Sequence, residues 1–174
     1  MKKLLLFTAL AVFACSTVFA QITKDQTVAE WTRAKAYTKA YLDAMPADGF
    51  TFKATPEVRT FAGQMLHLAD ANYFFVGSAS GKASPIGQTS VEKTVAQTKE
   101  ATTKAVLDSY DYAIAAIQGM TDAQMQEITT FGKDMKVAKG LILAKGFEHQ
   151  THHRGQATIY LRLKGVTPPP EMLF

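Results

Sequence analysis

Apolar residues recur at helical spacing in four stretches of the chain, each bounded by residues that start or stop helices. In the first, Trp31, Ala34, Tyr37 or Thr38, Tyr41 and Met45 share a stripe, with Thr27 and Glu30 spaced as a capping box and Pro46 and Asp48-Gly49 as the stop. This predicts a helix over 27–46 whose aromatic stripe is core. In the second, Phe61, Met65, Leu68, Asn72 and Phe75 line up behind Thr55-Pro56-Glu57, which reads as a cap followed by a first-turn proline. Gly77 to Thr89, rich in Gly, Ser and Ala, reads as a loop of the kind that flanks a site opening. The third stretch begins at Ser90, runs through Val91, Val95, Thr98 and Thr102 to Val106, Tyr110, Ala113 and Ile117, and closes at Gly119. Its polar section, Thr98 to Lys104, allows one bent helix or two shorter ones. After a short helix or turn at Thr121–Gln124 and a break at Phe131-Gly132-Lys133, the last helix runs from about Val137 to Lys164. Gly165 and Pro168-Pro169-Pro170 stop it. Strand-like alternation of useful length is missing from the sequence, so the pattern predicts an all-α domain without repeats or an internal boundary.

The N-terminus departs from this pattern. Met1-Lys2-Lys3 is basic, Leu4 to Val18 is almost wholly apolar, and Val18-Phe19-Ala20 offers a cleavage site before Gln21. This predicts a signal peptide over residues 1–20, a domain over 21–174 and an exported protein, periplasmic or secreted. The apolar run is too short to span a bilayer, and no transmembrane helix is expected in the mature chain. Ala14-Cys15-Ser16 offers the less favoured alternative of a lipoprotein signal; with cleavage after Ala20 the mature chain has no cysteine and is held by its core alone. Removing residues 1–20 takes away two lysines and no acids, lowering the formal charge from +4 to +2. The lysines are scattered, which argues against nucleic acid as a partner.

Three of the four histidines fall within Glu148-His149-Gln150-Thr151-His152-His153-Arg154-Gly155-Gln156. On a helix, His149 and His153 are one turn apart and share a face, while His152 is rotated by roughly 100° from His153. His67, on the second helix, can supply a third imidazole from a facing element. Three imidazoles with an open position suit zinc, and also nickel, iron or copper. His152 reads as a bystander with a structural hydrogen bond, and Arg154 and Gln156 as structural groups. Glu148 is misplaced for the general base of an HExxH site. Asp70, one turn after His67, is the candidate carboxylate to orient that ring.

His149-x-x-x-His153-Arg154-Gly155-Gln156, followed by Tyr160-Leu161-Arg162-Leu163-Lys164-Gly165-Val166 and the proline run, resembles the C-terminal motif of the DinB-like (YfiT-like) metal-binding family. His67-Leu68-Ala69-x-x-Asn72-Tyr73-Phe74 resembles that family's second-helix motif, and the likeness spans about residues 25–170. The resemblance implies a four-helix bundle in up-down-down-up order. It also implies a divalent metal, zinc or nickel and sometimes iron, on His67, His149 and His153. Relatives in that family include thiol-dependent S-transferases and a mycothiol-dependent isomerase, so the implied partner is a small-molecule substrate such as a low-molecular-weight thiol. Homodimers also occur in the family. Export sets this chain apart, because small thiol cofactors are kept reduced in the cytosol.

Two function classes follow as expectations. One is a metal-dependent transferase or hydrolase with an activated thiol or water; the alternative is a non-catalytic metal-binding or structural envelope protein. A DNA-damage role, suggested only by the family name, fits poorly with the small, unclustered charge.

Overall fold

The computed structural model describes residues 22–174, so the expected signal peptide and Cys15 lie outside the described residues. Helices dominate what is described: α1 (Lys24–Ala44), α2 (Phe61–Ser80), the single turn α3 (Val91–Thr94), α4 (Lys99–Gln118), α5 (Asp122–Gln126) and α6 (Lys139–Leu163). Between α5 and α6 a small hairpin pairs β1 (Ile128–Phe131) with β2 (Met135–Ala138). This hairpin departs from the expected all-α pattern. Each strand has only four residues, too few for alternation to register, and Gly132, at φ 62°, makes the turn that had read simply as a break.

Two helix starts also differ from expectation. Residue Thr23, not Thr27, caps α1: its hydroxyl accepts from the Gln26 amide at 3.1 Å, and the Gln26 side chain accepts from the Thr23 amide at 2.9 Å. Thr27 lies inside the helix, where its hydroxyl donates back to the Thr23 carbonyl. Likewise Thr60, not Thr55, caps α2, accepting from the Gly63 amide at 2.9 Å. The first two amides of α2, on Phe61 and Ala62, donate to the carbonyls of Phe52 and Phe50, so residues 50–60 form a tied-down connection. In the third region the polar section contains a new start: Thr98 caps α4, leaving α3 as a separate turn.

α2 has its broadest contacts with α6 and α4, and α1 packs on α4 and α6. The shared core holds Trp31, Leu42, Phe61, Leu66, Tyr110 and Ile142, all essentially inaccessible to solvent. Trp31 with Phe147 and Tyr41 with Thr158 join α1 to α6, and Phe61 with Tyr160 joins α2 to α6. A polar knot fastens α1, α4 and α6 at mid-height. Tyr110 Oη donates to Gln150 Oε1 at 2.8 Å and lies 2.8 Å from the Thr38 hydroxyl. Buried Arg154 donates to the same Gln150 oxygen at 2.6 Å and stacks 4.5 Å over the Tyr37 ring. This is the structural role expected of Arg154.

Candidate metal centre

His149 and His153 point from one face of α6 because they are separated by four residues on a helix. Their Nε2 atoms are 3.2 Å apart. His67 meets them from α2, its ring centroid 4.7 Å from that of His153 and 5.4 Å from that of His149. One nitrogen from each ring can be chosen so that all three lie within 4.8 Å of one another. The convergence expected from the sequence is therefore present.

Close approach of α2 and α6 is what permits it. Gly146, one turn before His149, lies against Phe75, two turns after His67. Phe75 in turn lies against the His149 ring at 5.7 Å, and Phe131 from the hairpin stacks on Phe75 at 5.6 Å. The unforeseen strands thus supply an apolar wall behind the centre.

Neighbouring groups fix the rings. The Nδ1 atom of His67 is 3.1 Å from Glu92 Oε2, while Arg59 Nε donates to the other oxygen of that carboxylate at 2.7 Å. A second Arg59 nitrogen is 3.4 Å from His67 Nδ1, so the carboxylate is the closer partner. With Nδ1–H donated to Glu92, Nε2 is the nitrogen left for the triad. Asp70 does not do this. Its carboxylate accepts from the Val91 amide at 2.7 Å, the Glu92 amide at 3.2 Å and the Ser90 hydroxyl, closing the loop after α2 onto the start of α3. Asp70 therefore acts one step further out, by holding the turn that carries Glu92. A glutamate 25 residues from its histidine leaves no local signal in a sequence, which is why Glu92 was missed.

His153 Nδ1 lies 2.7 Å from Gln64 Nε2, and Gln64 also bonds Gln156. His149 Nδ1 is buried and has no hydrogen-bond partner among the described residues. Exposed His152 stands edge-on to the His153 ring but bonds Gln156 and is not one of the three converging rings, as expected of a bystander, and Glu148 pairs with Lys145 on the surface.

The electrostatics favour neutral rings at His149 and His153. Burial, reinforced by the charges of neighbouring histidines, pushes the pKa of His153 down to about 3, and the same causes lower that of His149. A neutral ring offers its lone pair to a metal; a protonated one cannot.

Two clefts flank the centre. One, of about 670 Å³, is lined by His67, Tyr73, Lys82 and Lys93 and by the loop after α2, as that loop's composition led us to expect. The other, of about 760 Å³, is lined by Gln64, Gln156, Ile159 and Tyr160. Arg59 and Glu92 line both, so their ion pair forms part of the partition between them.

The donor set fits a metal. Two nitrogens bound tetrahedrally at a zinc–nitrogen distance of about 2.0–2.1 Å stand about 3.3 Å apart. The 3.2 Å between His149 and His153 is close to that spacing. The three imidazoles could hold an ion while leaving a coordination position open.

Comparison with known proteins bears on the fold. The chain is similar in fold to a DinB-like protein from Bacillus cereus ATCC 10987, with a TM-score of 0.73 and 20% identity over 86% of this chain and 98% of the other. It is also similar to a DinB-like protein from Bacillus subtilis, with a TM-score of 0.65 and 16% identity over 86% of this chain and 96% of the other. Comparison with curated proteins returns no match. The profile of the DinB family matches residues 17–172, and the chain belongs to that family.

Proposed function

We propose that His67, His149 and His153 bind one divalent metal and that the protein uses it in a transferase or hydrolase reaction on a small molecule. The observation that carries this is the convergence of three imidazoles from two helices, with the His149 and His153 nitrogens at tetrahedral spacing. Zinc and nickel suit such a donor set best, and iron is compatible with it. When bound, the ion would supply Lewis acidity, acidifying a small thiol or a water at the open position.

The chain's own groups would prepare that position. Glu92 holds the His67 tautomer, Gly146 allows the two helices to close, and the apolar layer of Phe75 and Phe131 keeps water from the His149 side. The two clefts give a small substrate access past Arg59. A low-molecular-weight thiol is one candidate for the substrate or co-substrate, and a homodimer is the assembly we expect from the family resemblance.

We place the protein outside the cytoplasm, on the basic and apolar character of residues 1–20. We take the four long helices to follow the up-down-down-up order. This reading is supported by the contacts of Trp31 and Tyr41 with α6, of Phe61 with Tyr160, and of Lys99 at the start of α4 with the Asp43 and Met45 carbonyls at the end of α1. Among the described residues no helix is long and apolar enough to cross a membrane.

The test is metal-dependent turnover. Treating the purified protein with EDTA should abolish conversion of thiol or hydrolysable ester substrates, and zinc or nickel should restore it. Turnover that survives in the His67→Ala/His149→Ala/His153→Ala variant would overturn the catalytic reading.

A further inference from the structure

A chain of hydrogen bonds leaves the triad and ends at the protein surface. Gln64 is buried, at 2% exposure, with its Nε2 2.7 Å from His153 Nδ1, and the same nitrogen donates to Gln156 Oε1. Gln156 places its own Nε2 2.6 Å from Nε2 of exposed His152. Two side chains, Gln64 and Gln156, thus connect a candidate ligand to a histidine that touches solvent.

The placement of the two amides gives every bond in this chain a direction. Gln64 donates to His153 Nδ1, so His153 carries its proton on Nε2, the nitrogen that faces His149 at 3.2 Å. Gln156 donates to His152 Nε2, so the neutral His152 ring carries its proton on Nδ1. With the amides in this orientation the His153 nitrogen aimed at the triad is blocked by a proton, which is the pattern of a metal-free ring.

A metal at His153 Nε2 requires the proton on Nδ1, and that proton needs an acceptor. Gln64 supplies one through a half-turn of its amide, which exchanges oxygen and nitrogen without changing the space filled. Its Oε1 then also faces Gln156, and two amide oxygens cannot share a hydrogen bond, so Gln156 turns as well. The oxygen of Gln156 now meets His152 Nε2, which must hold the proton. The whole chain reverses.

Building on the three-histidine metal reading, we propose that Gln64 is a positioning residue that sets the His153 tautomer for metal binding. We further assign to Gln64 and Gln156 a relay that reports the state of the centre at the tautomer of His152. The relay offers the ligand ring an acceptor in one state and a donor in the other, which a fixed carboxylate cannot do.

The experiment uses the purified chain, stripped of metal and titrated with zinc at pH 8 against a competing chromophoric chelator, with imidazole ¹⁵N NMR on the same samples. Gln64→Met keeps the side-chain length but neither donates nor accepts, and it should weaken zinc binding about 10–100-fold. Gln64→Glu retains an acceptor and should bind zinc at least as tightly as the wild type. In the wild type, zinc should move the His152 proton from Nδ1 to Nε2. In Gln156→Met, a surface substitution that leaves His153 and Gln64 in contact, zinc should still bind while His152 no longer responds. Equal zinc affinity in the wild type and Gln64→Met, or an unmoved His152 proton in the zinc-bound wild type, overturns the relay and leaves the metal reading standing. A wild type that binds no zinc, nickel or iron overturns both.

Discussion

Gly146 lies so close to Phe75 that a Cβ added at the glycine would sit 2.8 Å from the Cβ of Phe75. No ordinary side-chain contact is that short, and the atom it meets is anchored to α2, so α2 and α6 would have to separate. The two helices bring His67 to His149 and His153, so the closeness of one backbone contact governs the centre one turn away.

Gly146→Ala tests this relationship. Overpacking of this kind costs about 1–3 kcal/mol, against a gain of about 1 kcal/mol in helix propensity. We expect a net loss of stability in urea unfolding together with weaker metal retention. A variant more stable than the wild type, with metal binding intact, would show that the contact does not hold the helices in place.

The second prediction concerns Glu92. Glu92→Ala removes the acceptor for His67 Nδ1 and should lower metal affinity about 10–100-fold, as loss of an outer partner of a ligand commonly does. Asp70→Asn should act more weakly on affinity, because Asp70 reaches the centre only through the turn that carries Glu92. Competition with a chelator distinguishes the two; equal effects would assign the orienting role wrongly.

The third is a pH dependence of the metal-free protein. The folded pKa of His153 is held at about 3 and that of His149 is also lowered, against about 6.5 for an unfolded histidine. Below about pH 6.5 the unfolded chain therefore takes up protons that the folded chain refuses, and protons then favour unfolding. This contribution is fully present above pH 6.5 and is lost progressively as pH falls toward 3. Urea midpoints of EDTA-treated protein should fall between pH 7 and 5, above the main carboxylate range, and should fall less in His153→Gln. A flat profile in the wild type would contradict the buried, neutral assignment.

Much of the centre was legible because it is local. An i, i+4 pair is fixed by helix geometry alone, so His149 and His153 could be placed on one face before any tertiary contact was known. His67 was legible as the one remaining histidine, on a second apolar helical pattern, and the family resemblance points to the same residue. Glu92, Gln64 and the hairpin were not. The His67–Glu92 contact needs the loop from 81 to 90 to fold back through Asp70, and Gln64 meets His153 across 89 residues. The helix starts failed for a related reason. Thr23 and Thr27 both head a plausible box, as Thr55 and Thr60 both precede an apolar run. Only the neighbours decide between them, such as the Phe50 and Phe52 carbonyls that receive the first amides of α2.

The central claim is that His67, His149 and His153 hold one divalent metal. Elemental analysis of the purified wild type beside the His153→Ala variant addresses it directly. The account predicts about one divalent ion per chain in the wild type, as expected of a single three-ligand site, and its loss in the variant. Metal retained by His153→Ala at the wild-type level, or absent from both proteins after purification and reloading with zinc, nickel or iron, would contradict it.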